Sequence, residues 1–176
     1  VIVLCYLLYS SLMHPINFNN EAKRRQNMVV DRLKDIRTLQ VAYRSEKNQF
    51  TGSFDTLINF YKHDSLHVVR QIGSFDDSLA VAKGLVRRDT VPIAVKDSVF
   101  SSRKNFNIDS IRYVPIVGVP FEMESTIHMS ISKVQVPLFE ARTPNDVWMK
   151  GMYRQLVVNK NDDDKRANKY QGLKVG

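Results

Sequence analysis

From Val1 to Met13 the chain is apolar apart from Ser10 and Ser11, and a segment of that kind has to be sheltered from water. As a helix, thirteen residues cover roughly 20 Å, short of the ~30 Å hydrocarbon core of a bilayer. The expected arrangement is a transmembrane anchor over residues 1–15 whose first turns precede Val1. Val1, Ile2, Val3, Leu4, Leu7, Leu8 and Leu12 are its membrane-anchoring side chains. A removable signal peptide or a buried core helix is the alternative. The exit, Leu12-Met13-His14-Pro15, has no small-x-small pattern of the kind signal peptidases cleave. Cys5 is the only cysteine, which excludes an intrachain disulfide and a cysteine metal cluster. It lies between Leu4 and Tyr6, without the small residue before it and the polar stretch after it that lipidation needs, so it reads as a packed or lipid-facing thiol.

The net charge of +8 is unevenly spread. Between Glu21 and Lys47, eight Lys and Arg stand against four acids, and from Lys150 onward seven stand against three. The middle, Asn48 to Met149, holds eleven of each. A nucleic-acid module carries its basic patch on the folded body, interleaved with aromatics. Here the excess lies beside the apolar segment and near the C-terminal end. That favours anionic headgroups or acidic partner helices over DNA or RNA, and no nucleic-acid partner is expected.

Past Pro15, which is expected to bend or interrupt the apolar helix, Asn19 and Asn20 offer N-caps for a basic amphipathic helix over residues 16–48. Val29, Leu33, Ile36, Gln40 and Tyr43 fall on one stripe, with Asp31, Arg32, Lys34, Asp35 and Arg37 around it. Val29, Leu33, Ile36, Leu39 and Tyr43 are the candidate helix-packing and assembly residues. The same stripe serves equally to seat the helix on its own domain. A short helix from Phe54 to about Lys62 follows, capped by Ser53, with Phe54, Leu57, Ile58 and Tyr61 buried. Strands are expected at Leu66–Ile72, Val91–Val95, Ile111–Ile116, Phe121–Ile131 and Val134–Ala141, the last three as a meander. Ser78–Gly84 is ambiguous. In Phe121–Ile131 the apolar Phe121, Met123, Ile127, Met129 and Ile131 alternate with polar residues, as a sheet with one wet face requires. Residues 49–158 thus form an α+β domain on whose antiparallel sheet the long helix packs, and residues 159–176 a polar, mobile tail.

Chemistry-bearing patterns are sparse. There is no Walker loop, GxGxxG, GxSxG or HExxH, and no cofactor is implied. His63 and His67 have helical ligand spacing but no third ligand nearby. Glu122, Glu124 and His128 share the polar face of their strand and form a conceivable acid/base set. Asp162, Asp163 and Asp164 lack the alternating spacing of a calcium loop. Solvated surface residues account for all three groups, and no enzyme activity is expected.

The apolar start, the proline of Met13-His14-Pro15, Ala22 opening a polar helix, the run Asp35-Ile36-Arg37-Thr38-Leu39-Gln40-Val41-Ala42-Tyr43 and then Asn48-Gln49-Phe50-Thr51 together resemble a type IV pilin or type II secretion pseudopilin. Other single-pass bacterial envelope proteins look similar. The resemblance covers about the first third of the chain. It implies a pilin-like fold and a structural or accessory role in a pilus or secretion assembly. It also implies an inner-membrane location with the domain in the periplasm, and partners that are membrane lipid and other envelope proteins or copies of the chain, met through the N-terminal helices. An anchored periplasmic binding or sensor module, with its ligand on the sheet, is the alternative.

Overall fold

The computed structural model describes the backbone of residues 2–72, 87–103 and 106–176; side chains at 2–8, 10–12, 71–72 and 87–88 lie outside that description. The anchor residues Val1, Ile2, Val3, Leu4, Leu7, Leu8 and Leu12, and the ambiguous Ser78–Gly84, therefore fall outside the described residues or side chains. The fold is α+β, with one long helix against small antiparallel sheets.

Helix α1 runs from Ile2 to Lys47 without a break, about 70 Å at 1.5 Å per residue. The expected interruption at Pro15 does not occur, and Asn19 and Asn20 cap nothing because they lie inside the helix. A proline removes only its own N–H, and the following amides still find carbonyls four residues back. Beyond it, Glu21 accepts from Arg24 Nε at 2.8 Å and Arg25 Nε at 2.8 Å, which braces the next turn. Among the described residues, no helix is long and apolar enough to cross a membrane. The helix ends where Asn48 turns left-handed (φ 57°) while its N–H still reaches the Arg44 carbonyl at 2.8 Å.

Helix α2 spans Phe54–His63 and buries Leu57, Ile58 and Phe60. Ser53 occupies the N-cap position without a side-chain cap bond. Strands β1 (Ser65–Ile72) and β2 (Arg87–Ala94) then pair antiparallel in a two-stranded ribbon, Pro92 opposite His67. Half the amides of such a ribbon point away from the partner, which leaves room for a proline. After the single turn α3 (Val95–Ser98), the strand expected at Ile111–Ile116 is absent. Ile108–Arg112 is a 3-10 helix, fixed at its start by Asp109 N–H donating to the Asn107 side chain at 3.0 Å. Pro115 supplies no donor, and Ile116 sits at φ 72°, outside strand geometry.

Strands β3 (Glu122–Met129) and β4 (Gln135–Pro144) form the expected hairpin. The third strand comes from elsewhere: β5 (Gly172–Val175) pairs antiparallel with the far end of β4, giving the order β3-β4-β5. The polar tail expected over residues 159–176 is consequently not a tail. After the turn α4 (Asn145–Trp148), helix α5 (Arg154–Arg166) leads into β5. Charges on the outer face of α5 concealed Val157, which is buried against the body. At Gly172 a Cβ would collide with the Thr143 carbonyl, so only glycine lets β5 approach this closely.

The core lies between the second half of α1 and these elements. Ile36, Leu39, Leu57, Ile111, Ala141 and Trp148 are all at most 1% exposed.

Candidate interaction surface

Val29, Leu33, Ile36, Leu39 and Tyr43 are each no more than 8% exposed, and all five belong to this chain's own core. The stripe read as an assembly surface is occupied: it seats α1 on its own domain and leaves nothing there for a neighbour to cover. Tyr43 meets Phe60 edge-on at 5.1 Å. Gln40, on the same stripe, is fully buried and satisfied. Its Nε2 donates to the Thr51 carbonyl at 2.6 Å, and its Oε1 accepts from Thr51 N–H at 3.2 Å. One side chain thus closes the loop that leads from α1 to α2. Asp35 is buried beside Arg103, whose Nη1 donates at 2.8 Å while its guanidinium lies over the rings of Phe100 and Phe106.

At the other end of the domain, Asn145 ties α4 to α5. Trp148 Nε1 donates to its Oδ1 at 3.0 Å, and its Nδ2 donates to Asn161 Oδ1 and Asp164 Oδ2, both at 2.9 Å. Lys160 Nζ reaches Asp164 Oδ1 at 2.9 Å. Burial opposes the charge on Asp164, but the Lys160 and Asn145 hydrogen bonds outweigh it and hold the carboxyl below its ordinary pKa. A carboxyl lowered in the folded state stabilises fully above the unfolded value of about 3.9, and the gain disappears as pH falls through the lower, folded value. Acidification below about pH 4 is therefore expected to loosen α5 from α4. In hydrogen exchange, the Val157–Asp164 amides should lose protection in that window, and Asp164→Asn should remove the pH dependence. Beside this latch lies an open cleft of about 590 Å³ lined by Gln26, Trp148, Lys160, Asp164, Lys169 and Tyr170, among others.

The residues singled out for chemistry do not converge. His67 Nδ1 lies 2.8 Å from Glu46 Oε2, and its backbone N–H donates to Glu46 Oε1, so it ties β1 to the end of α1. Glu122 and Glu124 both pair with Arg142, at 2.9 and 3.2 Å. Asp164 turns inward, whereas Asp162 and Asp163 are exposed. Among the described residues, no three His, Cys, Asp or Glu side chains gather as a metal site.

Compared with protein-family models, curated proteins and solved structures, the chain has no match.

What α1 leaves uncovered is more telling than what it buries. His14, Pro15, Ile16 and Asn17 are exposed, although His14 meets the Tyr153 ring at 6.1 Å, and packing against the core begins at Phe18 and Ala22. At the opposite end, the β3–β4 hairpin outruns the core. Ile127, Met129, Ile131 and Val134 are each more than half exposed, with Val136 and Leu138 on the other face at 36% and 46%. The alternation in Phe121–Ile131 correctly marks a strand, but only Phe121 and Met123 of its apolar residues are covered. Period-two alternation says which side chains share a face; it does not say how far the facing helix extends. Gln40 meets Met123 and Gly52 lies against Ser125, close to where the covered part ends.

Proposed function

We propose that this chain is a membrane-anchored, non-enzymatic subunit of a bacterial cell-envelope assembly, of the pilin or pseudopilin kind. The observation that carries this reading is the continuity of α1. The apolar opening and the domain-seating stripe lie on one unbroken helix, Ile2–Lys47. A stalk of that composition needs lipid or neighbouring helices around it. The exposed apolar end of the β3–β4 hairpin gives the domain a surface for lateral contacts with envelope proteins or further copies. In this reading the domain faces the periplasm and the anchor lies in the inner membrane.

Cys5 offers a direct test. In membranes carrying the full chain, oxidative or bismaleimide crosslinking through Cys5 is expected to trap adducts with neighbouring stalk helices. A chain that stays in the aqueous fraction, or that remains strictly monomeric with no trapped partner, overturns the assembly reading.

A second reading, an anchored monomer that binds a ligand, draws support from the open cleft beside Trp148 and Asp164. Its lysines, Lys160 and Lys169, suit an acidic ligand.

A further inference from the structure

We propose that Tyr153 and Arg154, at the start of α5, form a second foot on the bilayer, docked against anionic headgroups beside the point where α1 leaves the lipid. This rests on the reading that the apolar opening of α1 lies in hydrocarbon.

The height of the foot follows from α1 itself. The Tyr153 ring packs against His14, 6.1 Å between centroids, and His14 is the first residue after the apolar run. The headgroup layer on each side of a bilayer is about 5–8 Å thick. A ring beside His14 therefore stands within that layer if Met13 marks the hydrocarbon boundary. Tyr153 is 62% exposed. An apolar ring with a polar tip is the side chain that interfaces favour.

The charges are ordered to match. Lys150 and Arg154 are exposed, and neither makes an ion pair among the described residues. Arg25 Nη1 donates to the Lys150 carbonyl at 2.9 Å, so the turn carrying Lys150 is fixed to α1 rather than swinging free. Gly151, at φ 81°, makes the reversal that brings the chain down to Tyr153. From there α5 climbs away. Its Lys160 and Asp164 share a cleft with Gln26, about 18 Å up α1 from His14, and Asp164 is about 15 Å up α5 from Arg154. Asp162 and Asp163 lie two turns or more further along α5, about 12 Å in rise from Arg154, while the exposed Asp146 and Asp162 border the cleft that Arg154 and Val158 line. No acid lies in the first turn of α5, and its N-cap side chain makes no cap bond. The positive end of the helix dipole thus faces the same way as Arg154. Val158, 42% exposed and one turn on from Arg154, adds apolar area beside the cation. Two exposed cations without ion-pair partners among the described residues, Lys150 and Arg154, and an exposed aromatic at headgroup height complement a negative membrane surface.

Spin labels in the full chain, reconstituted in phosphatidylglycerol-containing vesicles, test the placement. A label on native Cys5 should be open to oxygen and closed to a water-soluble nickel chelate. In the Cys5→Ser background, a label at Tyr153→Cys should meet the chelate several-fold less than one at Asp163→Cys. Changing to neutral phosphatidylcholine, or adding Lys150→Ala with Arg154→Ala, should release the label at 153 toward water. Fluorescence of the buried Trp148 reports that each variant remains folded. A label at 153 as wet as that at 163, while Cys5 stays deep, overturns the docking and leaves the anchor standing. Equal protection in neutral vesicles overturns the anionic specificity. A wet Cys5 overturns the anchor itself, and the docking with it.

Discussion

Trp148→Ala is expected to destabilise the domain by about 3–5 kcal/mol, a loss that few single substitutions in this chain should match. Domains of this size have only about 5–15 kcal/mol in total. Trp148 is 1% exposed, it belongs to the core around α1, and it lies three residues after Asn145 in the turn that joins the sheet to α5. Removing the indole leaves a cavity and strands the Asn145 carbonyl oxygen it hydrogen-bonds. Denaturant unfolding of the full chain in detergent, followed by circular dichroism, measures the change. Asn145→Ala should cost less, about 1–3 kcal/mol, and the double variant less than the sum of the two, because the singles share one hydrogen bond. Strict additivity would show that Trp148 and Asn145 act independently.

Gln40→Glu should cost roughly 3–4 kcal/mol at pH 7 while changing almost nothing in shape. The amide is fully buried, and its Nε2 donates to the Thr51 carbonyl and lies 3.2 Å from Met123 Sδ. A carboxylate there would face an acceptor where the amide presented a donor. Burial raises its folded pKa, so the folded chain keeps the proton that the unfolded chain loses near pH 4.3. Stability should therefore be close to that of the parent below about pH 4 and fall steadily as pH rises. Urea midpoints at several pH values check this. A Gln40→Glu variant whose midpoint does not vary with pH would show that water reaches residue 40.

Much of this architecture was legible in the sequence because it rests on local periodicity. The 3.6-residue stripe from Val29 to Tyr43 marked the buried face of α1, Gln40 included; the Thr51 partner of Gln40 was not foreseen. Alternation found β3 and β4. The failures have two causes: local cap and turn chemistry outweighed apolar composition in one segment, and tertiary contacts ordered a polar one. Apolar residues around Ile111 looked like a strand, but Pro115 and the Asn107 cap favour a 3-10 turn. The C-terminal segment looked solvated because its ordering contacts are few: Val157, Asn145 to Asp164, and a glycine that admits β5 to the edge of β4. The Tyr153–Arg154 foot had no sequence signature at all. Only the approach of residue 153 to residue 14 reveals it.

The pairing of β5 with β4, and the Arg25 bond to Lys150 across 125 positions, set a timetable for biosynthesis. At about 5–20 residues per second, the ribosome adds those positions over roughly 6–25 s, during which α1 has emerged but its apolar stripe has no cover. Until the closing strand arrives, the nascent domain presents Val29, Leu33 and Ile36 to whatever binds first. Through that interval another apolar surface has to shield the stripe, and stalled synthesis would leave an aggregation-prone species.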